Sequence, residues 1–179
     1  MAGQSTTILI GLRGSGKSTL GRELALESAR DFIDLDDVTP RVLGRRTVAE
    51  AWQLDGEEAF RNAESKALAD KLRHQGIVLA LGGGTPTASG ARDLLVEQQR
   101  TARAVIVYLR ASAPTLRSRL SKADNAGRPS LTGAGMLEEI DAVLERRDPV
   151  YLALADEVVE VDGLSTPEAL VMLRTAIGQ

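Results

Sequence analysis

Residues Gly11-Leu12-Arg13-Gly14-Ser15-Gly16-Lys17-Ser18 follow the spacing G-x-x-x-x-G-K-S. Such a segment can hold a polyphosphate. Glycines let the backbone fold tightly, so consecutive N–H groups turn inward on phosphate oxygens. A helix opening directly afterwards adds the positive end of its dipole. Lys17 then sets a cation against the terminal phosphates, and Ser18 offers a hydroxyl to Mg²⁺. The segment indicates nucleotide binding and leaves open what receives the phosphate.

Three further groups bear on the acceptor. Asp34-Leu35-Asp36 places alternating carboxylates after the short apolar stretch Phe32-Ile33. At the carboxyl end of a strand they would face the crevice where α/β sheets bind ligands. One could serve a Mg²⁺ shell and the other a hydroxyl. The alternative is a helix N-cap with a solvated acid beside it, and Asp37 reads as such a capping or surface residue. Gly82-Gly83-Gly84 either lets a small ligand approach the backbone or is a plain loop. Arg61 and Glu64 sit one helical turn apart, so the acid can steer the guanidinium. Arg128 lies in a glycine-rich stretch, and Arg146-Arg147 precede Asp148-Pro149-Val150-Tyr151, where the proline is expected to end a helix. Each arginine alone reads as a surface charge. Two converging on a crevice would make a fork for a carboxylate.

These groups need a frame. Ile8–Ile10, Ile77–Leu81 and Ala104–Leu109 are continuous apolar runs, as expected of parallel strands covered on both faces. Phe32–Asp34 and Val158–Val161 are weaker strand candidates. Helical patterns lie between them at Thr19–Ser28, Glu57–Arg73, Arg92–Gln99, Ala113–Leu120 and Pro167–Ile177. The alternation predicts an α/β fold with a doubly wound sheet. Residues 36–74 break it as a helical lobe inserted between the second and third strands, and the polar stretch 122–135 reads as a surface flap. Trp52 is either a core residue of the lobe or a reporter of substrate. His74 is expected exposed at a helix end, and Tyr108, Met136 and Met172 read as packing residues.

Composition sets outer limits. At 179 residues the chain fits one domain. A net charge of −3 argues against a general nucleic-acid binder. The absence of cysteine excludes disulfides, zinc fingers, iron–sulfur sites and cysteine nucleophiles, and a single His makes a Ser-His-Asp triad improbable. No apolar run reaches the ~18 residues of a membrane helix. The first residues show no basic segment before an apolar stretch, so a cytoplasmic chain with no membrane partner is expected.

Taken in order, the segments resemble the shikimate kinase family. Its pattern is a phosphate loop, D-x-D, F-R-x-x-E, G-G-G, a lid with R-P, and R-x-P-x-Y. Here these are Gly11 to Thr19, Asp34-Leu35-Asp36, Phe60 to Glu64, Gly82 to Gly84, Arg128-Pro129 and Arg147 to Tyr151. Ser130-Leu131 replaces the usual lid leucines, and Pro40 stands where many members carry Glu.

The resemblance implies a five-stranded parallel sheet flanked by helices, in a P-loop kinase fold with a substrate-binding lobe (about 36–74) and a lid (about 122–135). It implies phosphorylation of the shikimate 3-hydroxyl by ATP with Mg²⁺, on the route to chorismate and the aromatic amino acids, by a monomer. Gly14, Ser15, Gly16, Lys17, Ser18 and Thr19 would wrap the ATP phosphates, with Arg128 descending from the lid, Arg119 stacking on adenine and Pro167 in the adenine loop. Ser18 and Asp34 would support the metal. Asp36 would hold the shikimate hydroxyls, Arg61 and Arg147 its carboxylate, and Gly82, Gly83 and Gly84 its ring, with Lys17, Asp36 and Arg128 catalytic. Another small-molecule kinase, such as a gluconate or nucleotide kinase, and a non-catalytic ATP-binding regulator are the competing readings.

Overall fold

The apolar runs become the middle of a sheet because both their faces are covered. Ile8, Leu9, Ile10, Val78, Leu79, Ile106, Val107 and Leu109 are fully enclosed. The computed structural model describes residues 5–122 and 139–179. Among them, strands β1 (Thr6–Ile10), β2 (Phe32–Asp34), β3 (Val78–Ala80), β4 (Ala104–Arg110) and β5 (Glu157–Glu160) form one sheet in the order β2-β3-β1-β4-β5. Every pairing is parallel, with Ile8 opposite Leu79 and Ile106, and Asp34 opposite Ala80. Connections leave β1 toward one side and β4 toward the other, so the carboxyl ends near β1 border the ligand crevice of such folds.

Seven α-helices are described: α1 (Lys17–Glu27), α2 (Leu35–Val42), α3 (Val48–Lys71), α4 (Ser89–Arg100), α5 (Ala113–Lys122), α6 (Ile140–Leu154) and α7 (Thr166–Ala176). Helix α1 lies tightly on the sheet. A methyl group on Gly21 would stand 2.4 Å from the Phe32 ring. Helices α2 and α3 form the inserted lobe between β2 and β3, as the alternation predicted.

Three local expectations need correction. Helix α3 carries, ahead of the helix expected from Glu57, an additional helical stretch over residues 48–55, which Thr47 caps by accepting a hydrogen bond from the Glu50 N–H at 3.1 Å. The helical path breaks inside it at Gly56, whose φ of 81° and ψ of 171° suit only glycine. Pro149 does not end its helix, which runs on to Leu154. Burial of Tyr151 and Leu154 is worth about 1.5–3 kcal/mol each and outweighs the ~3 kcal/mol cost of an internal proline. Met172 is 51% exposed, not packed, because α7 buries Ala169, Leu170 and Leu173 instead. His74 is exposed and Tyr108 enclosed, as expected. The flap with Arg128, Pro129, Ser130 and Leu131, and also Met136, lies outside the described residues.

Candidate active site

The phosphate loop joins β1 to α1 at the middle of the sheet. Gly16 caps α1 with φ 100°, a left-handed conformation that aims the first helical N–H groups into the loop. Lys17 is only 9% exposed. Its ammonium donates to the carbonyls of Gly11 at 2.8 Å and Leu12 at 2.9 Å, which keeps it inside the loop. The loop borders a cavity of about 510 Å³ with Arg13 to Leu20 on one side and Val161, Leu164, Ser165, Thr166 and Ala169 on the other. Arg119 laces the two sides together, donating to Gly14 and Ser15 carbonyls at 3.4 and 3.3 Å and to the Val161 carbonyl at 3.0 Å. Pro167, the second residue of α7, is not among the lining residues, although its neighbours Ser165 and Thr166 are.

Asp34 is buried at the end of β2 and does two things. Oδ1 accepts from the Asp36 N–H at 3.1 Å and so caps α2, while Oδ2 accepts from the Ser18 hydroxyl at 2.5 Å. The cap of α2 and the Ser18 contact thus use separate oxygens of one carboxylate. Asp37 lies exposed on the first turn of α2, 3.9 Å from Arg22.

A second cavity, about 140 Å³, opens between the lobe and α6. Asp36, Arg61, Gly82, Gly83, Gly84 and Arg147 all line it, so the structure brings together every described residue expected to hold the acceptor. Arg61 leaves α3 between Trp52 and Phe60, with its guanidinium 5.4 and 5.8 Å from the two ring centres. Glu64 fixes it with a 2.8 Å ion pair. Glu64 is itself 1% exposed and accepts from the Thr85 hydroxyl. Burial is the main influence on this acid and raises its pKa, against the pull of Arg61 and Thr85. Two of the three glycines stand hard against charged side chains. A methyl on Gly84 would lie 2.6 Å from the Arg61 guanidinium, and one on Gly82 would lie 2.6 Å from Asp36 and 2.8 Å from Glu64. Tyr151 of α6 donates to the Gly83 carbonyl and hydrogen-bonds Arg147, and burial pushes its phenol up to about 12.

Arg13, Asp36 and Gly83 line both cavities. The larger has room for a nucleotide and the smaller for a compact ring, and they meet at these three residues. Sequence reasoning assigned nothing to Arg13, Thr85 or the apolar wall of Val48, Ile140 and Val143. Arg13 stands inside a motif that leaves its position free, and the other four stand outside every motif quoted. Arg146 is exposed, its Nε donating to the Ala142 carbonyl, and takes no part in either cavity.

A family model described as shikimate kinase matches residues 13–176. A shikimate kinase of Bordetella avium is 38% identical over 156 residues, covering 87% of this chain and 71% of that protein. Shikimate kinase 2 of Yersinia pestis is 37% identical over 167 residues, covering 93% and 91%. A shikimate kinase from Acinetobacter baumannii, solved in complex with shikimate, superposes with a TM-score of 0.85 at 28% identity over 98% of this chain and 94% of that one. The match runs from the phosphate loop to the last helix, and the chain belongs to the shikimate kinase family.

Proposed function

We propose the following division of labour for the ATP-dependent phosphorylation of shikimate that this chain carries out. ATP lies in the larger cavity, its phosphates wrapped by the backbone of Gly14 to Thr19 and its terminal charge met by Lys17. Shikimate lies in the smaller one. Arg61 and Arg147 hold its carboxylate, the Gly82–Gly84 backbone borders its ring, and Asp36 orients the 3-hydroxyl. The observation that carries this reading is the shared wall: Asp36 faces both cavities, where an in-line transfer must cross.

Phosphoryl transfer needs positioning and neutralisation of charge more than covalent chemistry. Asp36 accepts the proton of the attacking hydroxyl as the new P–O bond forms and the bond to ADP breaks. Lys17 offsets negative charge on the moving group. Arg128 is assigned the same task from the lid, Arg119 the adenine side of the cavity, and Pro167 the adenine loop.

Ser18 and Asp34 fit Mg²⁺. Both are oxygen donors already in contact, and among the described residues no cluster of three or more His, Cys, Asp or Glu gathers elsewhere for a metal. Mg²⁺ keeps several waters and binds through one or two protein oxygens plus substrate phosphates, which suits so sparse a donor pair. When bound, the ion would supply positive charge against the phosphates.

No described helix is long and apolar enough to cross a membrane.

A coupled assay for ADP release with shikimate, gluconate and nucleoside monophosphates tests the reading. Turnover with shikimate alone is expected. Turnover with gluconate or a nucleotide in its place would overturn the acceptor assignment, and turnover with none would favour a regulator.

A further inference from the structure

Arg147 and Asp148 are neighbours on α6, and the helix turns them to different sides. Arg147 lines the acceptor cavity. Asp148, which fills the open second position of R-x-P-x-Y, faces β4. Its Oδ1 accepts from the Tyr108 hydroxyl at 2.7 Å and from Arg110 Nε at 2.9 Å, and its Oδ2 accepts from Arg110 Nη2 at 2.9 Å. Arg110 also donates to Glu160 of β5 at 3.1 Å. One turn further along α6, the Tyr151 ring meets the Tyr108 ring with centroids 5.0 Å apart, and its hydroxyl bonds Gly83 and Arg147. Strand β4 therefore grips α6 both beside Arg147 and one turn beyond it.

Pro149 lies in that same turn. It has no N–H to give the carbonyl of Glu145, so the helix's own ladder is interrupted where the direction of Arg147 is decided. The bonds from β4 supply the missing constraint. Their worth to global stability is small, because the Arg110 side chain is 40% exposed and ion pairs so close to water contribute little. A misdirected guanidinium, by contrast, acts directly on a bidentate contact with a carboxylate.

We propose that Asp148 is a positioning residue for the acceptor: clamped by Tyr108 and Arg110, it fixes the α6 turn so that Arg147 meets the shikimate carboxylate. The proposal rests on the reading of Arg147 as a carboxylate ligand. Asp148 touches neither substrate and acts through its neighbour.

The test is steady-state kinetics and melting temperature for Arg147→Ala, Asp148→Asn and the double variant, in the full chain. Arg147→Ala is expected to raise the shikimate KM at least about tenfold. Asp148→Asn is expected to raise it about three- to tenfold, with the ATP KM and kcat within about twofold of the parent. The double variant is expected to be no worse than Arg147→Ala, since a positioner of an absent group has nothing left to position. Tyr108→Phe removes one of the three bonds and should raise the shikimate KM about twofold. It replaces Asp148→Asn in the cycle if that variant does not fold. An unchanged shikimate KM in Asp148→Asn, equal rises for both substrates, or effects that multiply in the double variant overturn the positioning role. An unchanged shikimate KM in Arg147→Ala instead removes the carboxylate reading beneath it.

Discussion

Glu64 decides where the Arg61 guanidinium stands. It holds Arg61 at 2.8 Å and is held in turn by Thr85, so the arginine enters the cavity already aimed. Losing one side of a buried charged contact costs about 2–5 kcal/mol. Arg61→Ala should therefore raise the shikimate KM roughly a hundredfold while the ATP KM stays nearly constant. Equal rises in both would indicate a folding defect instead.

Asp148 carries a pH signature of its own. Burial resists its ionisation, but the bonds from Arg110 and Tyr108 prevail, and its pKa lies below the ordinary 3.8. A carboxyl depressed by folding lends stability that is complete above its unfolded value and vanishes as pH falls through its folded one. Thermal melts from pH 6 down toward 3 should thus fall less steeply in Asp148→Asn than in the parent. Parallel acid limbs would mean that the pair contributes nothing.

At the scale of elements, the same substitution should do different things in different places. Gly21→Ala forces a methyl against the Phe32 ring and should cost about 1–3 kcal/mol of stability, read as a lowered melting temperature. Gly84→Ala forces one against the movable end of Arg61. Its melting temperature should change little while the shikimate KM rises about tenfold or more. The reverse pattern would place the binding defect in the core rather than the clamp.

What the sequence made legible follows the range of the interactions. The phosphate loop, the Arg61–Glu64 turn and the sheet-forming runs are local, and their spacing states their geometry. The continuation of α6 past Pro149 and the Arg110–Asp148 contact are set by partners distant in the chain. No local period announces those. Asp34 shows the middle case: its position was readable, but not that one carboxylate would cap α2 with one oxygen and accept from the Ser18 hydroxyl with the other.

At the scale of the whole molecule, the sheet order sets the phosphate loop on a central strand and lets β2, β3 and α6 bring Asp36, the glycines and Arg147 to one side of it. The two cavities then share a wall instead of lying apart. Nucleotide binding should stabilise the fold independently of the acceptor site. ATP with Mg²⁺ at ~100 times its Kd should add about 2.7 kcal/mol, read as a raised melting temperature, in both the parent and Arg61→Ala.

The most direct measurement pairs ATP affinity by calorimetry with turnover on shikimate for Asp36→Asn. With the carboxylate at the junction neutralised, ATP affinity should remain within about threefold of the parent while kcat falls by about 10²-fold or more. Turnover close to that of the parent, with ATP bound as tightly, would show that the phosphoryl group does not cross at Asp36.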